Sequence, residues 1–295
     1  MESKNILVTG AMGNIGTEIL RGLKELNTHH RIVVADYLPE DAQPVKDRFG
    51  GYTYRRLDFS QPGGFDAALQ GIDIVFLLRP PQLADVKKYF DPFLAAMKRQ
   101  SITKVVFLSV QGVENQSLIP HHKLEKLIVA DQMEFVFLRP SYFMQNLTTT
   151  LLHDIQQNRR IFVPSGPLKF NWVDARDIGL VGAHVLHRFD DFKNQALEIT
   201  GSDFAGFDEV VRLINKNVRN KIRYVSPNLL RFFIAKRKQG VAPAMIFVII
   251  MLHFLPRLGA NKPRLTSTVK DITGKEPVTL EEFVAREARK FEKEA

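Results

Sequence analysis

Gly10, Gly13 and Gly16 stand three residues apart in Thr9-Gly-Ala-Met-Gly-Asn-Ile-Gly16, directly behind the apolar run Ile6, Leu7, Val8. The run is long enough for a strand buried on both faces. Ile15, Ile19, Leu20 and Leu23 follow at helical spacing. A second apolar run, residues 32–35, ends at Asp36, twenty residues after Gly16. Strand, glycine turn, helix, strand and terminal acid together predict a dinucleotide-binding βαβ unit. A glycine turn of purely structural use is the competing reading.

The chemistry explains the residue types. A pyrophosphate needs bare backbone N–H groups at close range, and a helix N-terminus adds partial positive charge. The turn residues Gly10, Met12, Gly13, Asn14, Ile15 and Gly16 are therefore expected to hold the cofactor, with Gly16 letting the helix pack closely. Asp36 would accept hydrogen bonds from the adenosine ribose hydroxyls. A carboxylate there repels a ribose 2′-phosphate, Glu40 and Asp41 add to the repulsion, and no Arg or Lys follows until Lys46. These features predict NAD(H) over NADP(H). Arg55 or Arg56, approaching from the next strand, would reverse that preference.

Apolar runs and helical patterns then alternate. A helix over residues 39–48 precedes a strand over 52–57 that closes on Asp58-Phe59. That pair would meet an adenine, or Asp58 would cap the helix after Pro62; the sequence leaves both open. The strand over 72–78 runs into Arg79-Pro80-Pro81, which forces an extended exit, and a long helix is expected over 83–99. Ser109 ends the next strand, where open α/β sheets hold ligands. Pro120-His-His-Lys-Leu-Glu-Lys126 opens a helix on which His122 and Lys126, four apart, share a face. No acidic or histidine ligands cluster there, so no metal is expected. The strand over 134–138 ends in Arg139-Pro140, and Ala196 to Thr200 reads as a further strand. This alternation predicts a doubly wound parallel α/β sheet.

Thr9-Gly-x-x-Gly-x-x-Gly16, Asp58, Leu77-Leu-Arg-Pro-Pro81, Leu138-Arg-Pro140 with Phe143-Met-Gln-Asn-Leu147, and Val173-Asp-x-Arg-Asp177 together resemble the NmrA-like branch of the atypical short-chain dehydrogenases/reductases. The resemblance extends to the tail Leu280-Glu-Glu-Phe283. It implies a Rossmann domain over residues 1–200 and a smaller, mainly helical substrate lobe over 201–295. It also implies either NAD(P)H-dependent hydride transfer to a quinone-like or other small electrophile, or a non-catalytic redox-sensing regulator with a protein partner. Arg79, Ser109 and Pro140 join the expected cofactor residues, with Asp58 and Phe59. The superfamily's Tyr-x-x-x-Lys pair falls on His122 and Lys126, so the tyrosine is missing and these two become the expected catalytic residues. His121 matches a histidine of the quinone reductases and Asn146 a pocket asparagine; Phe143 and Trp172 are expected pocket walls, with Phe170 and Phe232 as further candidates.

Cysteine is absent, which excludes disulfides, thiolate zinc and a cysteine nucleophile. The first strand opens near Asn5, so no secretory leader is expected and a cytoplasmic chain follows. The net charge of +9 concentrates in Arg231, Lys236, Arg237, Lys238, Arg257, Lys262 and Arg264. Without a recognition helix or RNA-stacking signature, no nucleic acid is expected. The charge-free run 239–256 is too short to span a bilayer. It reads first as a buried lid or homodimer helix, and second as a membrane-docking segment.

Overall fold

The computed structural model describes residues 2–257 and 264–292. Lys262, one of the expected basic cluster, lies outside them. Twelve strands occur among the described residues: β1 Asn5–Thr9, β2 Arg31–Asp36, β3 Thr53–Arg56, β4 Ile74–Leu77, β5 Lys104–Leu108, β6 Glu134–Pro140, β7 Tyr142–Phe143, β8 Arg160–Phe162, β9 Lys169–Val173, β10 Gln195–Ile199, β11 Asp203–Gly206 and β12 Arg223–Val225. The chain forms two compact units, and both are discontinuous. The first comprises Met1–Pro140, Ala175–Ile199 and Ser267–Glu276; the second comprises Ser141–Asp174, Thr200–Thr266 and Pro277–Ala295. A single cut after residue 200 therefore does not describe the chain. Residues 141–174 leave the first unit before its last strand is made, and β10 returns to complete it.

The first unit holds a seven-stranded sheet in the order β10-β6-β5-β4-β1-β2-β3, parallel throughout. The doubly wound parallel sheet expected from the alternation is present. Its strands are buried on both faces, which is why they read as unbroken apolar runs; Ile74 to Leu77 are all buried. The chain adds strands on one side of β1, then crosses to β4 on the other. Between β1 and β4 lies the switch point, outside whose carboxyl ends such sheets bind ligands. Phe59, Phe65, Phe90 and Phe93 pack together under this end of the sheet.

Two expected helices differ from those observed. Residues 83–99 form two, Val86–Tyr89 and Asp91–Arg99. Pro92 has no N–H to give and its ring crowds the carbonyl four residues back, so the helix restarts there. The segment 39–48 begins its helix only at Gln43–Phe49, where Pro44 fits the first turn.

The second unit packs Tyr142, Phe170, Trp172 and Phe207 around β7, β9 and β11. β9 pairs antiparallel with β11, a short strand that the sequence did not announce. A buried ion pair, Lys236 Nζ to Asp154 at 2.5 Å, ties the Leu229–Lys238 helix to this core. Lys236 is thus removed from the expected basic surface. Arg286 binds Asp174 at 2.7 Å and holds the terminal Leu280–Glu287 helix, which opens on a Thr279–Glu282 capping box. Among the described residues no helix is long and apolar enough to cross a membrane.

Candidate active site

Each glycine of the turn has its own constraint. Gly10 adopts φ +63°, a left-handed conformation, with Leu78 against it. At Gly16 a Cβ would lie 2.3 Å from the Gly10 carbonyl oxygen and 2.7 Å from the Ala11 Cα. Gly16 therefore lets the first helix pack on the glycine turn itself. Gly13 is the N-cap of the helix Asn14–Glu25, and its N–H donates to Gly10 O at 3.0 Å. The first N–H groups inside that helix, those of Asn14 and Ile15, have no intrahelical acceptor and face outward for an anion.

Met12 does not add to them. Its N–H donates to Asp36 Oδ2 at 3.0 Å, while Tyr37 N–H donates to Oδ1 at 2.9 Å. Asp36 thus fastens the turn to the end of β2, and each oxygen keeps a lone pair for a ribose hydroxyl. Tyr54 donates its hydroxyl to the Asp36 and Leu38 carbonyls, which fixes this corner. Burial, then the Asp36 charge, pushes its phenol up to about 12.

A cleft of about 330 Å³ opens at these strand ends, lined by Gly10, Asp36, Asp58, Phe59, Leu78 and Pro80 among others. Its floor and size suit an adenosine, and the free helix N–H groups stand beside Gly10, where a pyrophosphate would follow. These residues fit a dinucleotide. Asp58 is both at the cleft and a turn cap, since its Oδ1 accepts the Ser60 N–H and hydroxyl. Phe59 offers its backbone, because its ring is buried among Phe65, Phe90 and Phe93. Two cations border the carboxylate. Arg48 donates to Met12 O at 2.8 Å, which places it on the glycine turn. Arg56 pairs with Asp36 in the sheet register and donates to Tyr37 O. Arg55 is engaged elsewhere, on the Ala68 and Gln70 carbonyls.

The end expected to meet the nicotinamide involves Arg79, Ser109, Arg139 and the helix Pro120–Ala130. Leu124, Glu125 and Ile128 are the buried residues of that helix, and His121 lies on the same face with its ring stacked on Phe107. At about 100° per residue, Lys126 projects roughly opposite Ile128; it is exposed and makes no hydrogen bond or ion pair among the described residues. His122 turns back to the chain, its Nδ1 2.9 Å from Val113 O. The inward pair four residues apart is therefore His121 and Glu125, one position earlier than the expected His122 and Lys126.

Glu125 was not singled out from the sequence. It accepts the Ser109 hydroxyl at 2.6 Å and two Arg139 nitrogens at 3.0 and 2.6 Å; Arg139 also reaches Glu114 at 3.1 Å. Burial alone would lower the Arg139 pKa, but the carboxylates of Glu125, Glu114 and Glu198 outweigh that and raise it. A polar residue on the inward stripe Leu124–Ile128 was the available signal. Pro140 is buried at the end of β6, its carbonyl accepting Gln111 N–H.

Arg79 folds onto its own loop, Nη1 donating to the Pro80, Pro81 and Leu83 carbonyls, while its buried Nε has no partner. Burial brings the guanidinium down to about 10. Burial, then the Arg79 charge, takes His121 down to about 3. His121 is a neutral imidazole at any ordinary pH.

In the second unit Phe143 is half-buried and Asn146 sits beside the Tyr142 hydroxyl. Trp172 cannot be a pocket wall: it is wholly buried and its Nε1 donates to Ala205 O at 2.9 Å. Phe170 and Phe232 are likewise core residues. Among the described residues no group of histidines and acids is placed to hold a metal.

The profile of the NmrA-like family matches residues 2–239. The chain belongs to the NmrA-like family. Prestalk A differentiation protein A of Dictyostelium discoideum is 30% identical over 285 residues, covering 95% of this chain and 91% of that protein. An NAD(P)H azoreductase of Xenophilus azovorans is 27% identical over 97% of this chain and 99% of its own length. Among solved structures, an NADPH-dependent quinone oxidoreductase of Escherichia coli, complexed with NADPH, superposes with a TM-score of 0.80 at 17% identity, covering 95% of this chain and 99% of that one. That likeness bears on the fold, and agrees with the Rossmann-type sheet described above.

Proposed function

We propose that this NmrA-like protein is an NAD(P)H-dependent oxidoreductase that reduces a flat, electron-poor acceptor such as a quinone, with NADH preferred. The observation that carries the reading is the pair His121 and Glu125. The positions that match the wider superfamily's tyrosine and lysine, His122 and Lys126, turn to the Val113 carbonyl and to solvent, while the inward face of the helix carries an imidazole held neutral and a carboxylate already bound by Ser109 and Arg139.

The bound nicotinamide would supply a hydride. The chain's own residues then set which acceptor can take it. Reducing a ketone leaves a strongly basic alkoxide, which requires an acid in the site. Reducing a quinone leaves a far less basic hydroquinone anion that water can protonate, and the Arg79 guanidinium is a nearby charge to stabilise it. The Asn14 and Ile15 N–H groups hold the pyrophosphate, and Asp36 the ribose. Asp36 favours NADH; Arg48 and Arg56 lessen its repulsion of a 2′-phosphate, so NADPH also binds. A relative named as an NAD(P)H azoreductase supports a reducible acceptor other than a ketone.

An NADH-oxidation screen across quinones, azo dyes, aldehydes and enones tests this, with calorimetry of NADH and NADPH alongside. Quinones and azo dyes should outpace aldehydes, and a preference for aldehydes would sink the reading. A second reading, a regulator that senses NAD(P)H, is favoured by the same Glu125 lock. It is the better one if both cofactors bind and no acceptor turns over.

A further inference from the structure

The second unit carries an apolar surface on two adjoining helices, Leu229–Lys238 and Pro243–His253. On the latter, Ile246, Ile249 and His253 are buried in the unit's core, with Ile250 packed beside them, a stripe at i, i+3, i+4 and i+7. The opposite face presents Phe247, Val248 and Leu252 to solvent, Phe247 at 62% exposure. No polar side chain occurs from Pro243 to Leu252. A helix apolar all round belongs in an interior, yet half of this one lies open. Leu230, 71% exposed, with Phe233 and Ile234, extends the apolar surface on the neighbouring helix at the same helical spacing.

Charge decides what would cover it. From Val210 to Lys270 the chain has thirteen Lys or Arg and no Asp or Glu, although its net charge is only +9. Arg231, Arg237 and Lys238 are exposed on the first of the two helices, and among the described residues none of the three forms an ion pair. A second copy placed on this face would bring like charges together. A nucleic acid would take the cations and leave Phe247 in water. An anionic lipid surface satisfies both halves, with headgroup phosphates for the cations and acyl chains for the side chains.

We propose that these two helices dock the protein peripherally on an anionic bilayer, with Phe247, Val248 and Leu252 at the headgroup–acyl boundary. The Pro243–His253 helix, about 16 Å long at 1.5 Å per residue, lies in the surface rather than across it. This goes beyond the reductase reading and stands whether or not that reading holds.

The test is flotation of the purified full chain with vesicles of phosphatidylcholine, alone or mixed with phosphatidylserine. Binding should be at least about tenfold stronger to the mixed vesicles and weaken with salt. Phe247→Ser with Val248→Ser should lower it by at least about tenfold, and Arg237→Glu with Lys238→Glu should abolish the preference for phosphatidylserine. These side chains are exposed, so thermal unfolding and NADH binding should not change in either variant. Absence of binding to both vesicle types, equal binding to both, or binding indifferent to the Phe247 and Val248 changes overturns the proposal. So does a dimer, seen by light scattering, that the Phe247→Ser/Val248→Ser variant dissolves, because the face then belongs to a second copy.

Discussion

Arg139 holds Glu125 through two guanidinium nitrogens, Nε at 3.0 Å and Nη2 at 2.6 Å, on a helix face that also carries His121. The Ser109 hydroxyl closes the arrangement from the end of β5. The inward face of this helix therefore carries a fixed ion pair and no free acid.

Removing the charge of Glu125 should therefore be felt first in stability. Glu125→Gln leaves Arg139 half-buried with Glu114 as its remaining ion-pair partner at the rim and Glu198 farther off. Breaking one side of a buried pair costs about 3 kcal/mol, read as a lower urea midpoint at unchanged slope. Lys126→Ala, one residue on, should stay within about 0.5 kcal/mol of the parent and leave the NADH dissociation constant unchanged. A large cofactor defect in Lys126→Ala would put that lysine back at the nicotinamide ribose.

Two glycine substitutions separate packing from ligand space. A Cβ at Gly16 would lie 2.3 Å from Gly10 O, so Gly16→Ala must displace the turn or the helix. It should lower both stability and NADH affinity. At Gly13 the added carbon meets Gly10 O at 3.3 Å and otherwise points into open space. Gly13→Val should fold and lose NADH binding, because its methyl groups occupy the place of the phosphates. Calorimetry on a Gly13→Val protein with parental unfolding behaviour checks this; retained affinity there would reject the assigned cleft.

What the sequence made legible was local. The glycine turn and Asp36 lie within one βαβ unit, and their spacing alone implies their geometry. The helix at Pro120 also showed itself, but a four-residue spacing fits two pairs there, 121 with 125 and 122 with 126. Only the direction of the core chooses between them, and that depends on how Leu124 and Ile128 pack against distant strands. Trp172 was misread for a similar reason. Aromatic residues suit both pocket walls and cores, and nothing near Trp172 in sequence reveals that Ala205 O waits for its indole N–H. The break at Pro92 was available from the sequence, because a proline inside a helical pattern is itself the signal.

Asp36 has two duties that substitution can separate. Asp36→Asn keeps an oxygen for the Met12 N–H, gives up the bond from the Tyr37 N–H, and removes the charge facing a 2′-phosphate. Arg48 and Arg56 would then be opposed only by the exposed Glu40 and Asp41. The NADH-to-NADPH preference should move toward NADPH by about 1–3 kcal/mol, the scale of a charged hydrogen bond. Arg56→Ala should move it the other way. Unmoved ratios in both variants would mean that the ribose lies elsewhere.

Acid stability should report the buried histidines. His253 accepts from the Tyr142 hydroxyl at its Nε2, its Nδ1 lies 2.7 Å from Ile249 O, and burial takes it down to about 4. Its folded pKa is below the ordinary value of about 6.5, so the stability it contributes is complete above pH ~6.5 and is lost as pH falls through the folded value. About 3 kcal/mol should disappear over that window. Urea midpoints from pH 7 to 4 measure it, and His253→Gln should flatten the decline.

The last test concerns whether His121 donates the proton. An imidazolium donor with an ordinary pKa loses turnover as pH rises through about 6.5. His121 is held at about 3 by burial and by Arg79, so it is already neutral throughout the working range. Quinone turnover should therefore show no decline with an imidazole pKa between pH 5 and 8. His121→Ala should alter KM for the acceptor through the lost ring on Phe107, with kcat changed by less than about threefold, since general acid catalysis would contribute 10²-fold or more. Arg79→Met should do the reverse. Removing a charge felt mainly by the reduced, anionic product lowers kcat more than it raises KM. A steep loss of kcat in His121→Ala together with an alkaline limb near 6.5 would identify an acid at that position, and the restriction to quinone-like acceptors would then have no physical basis.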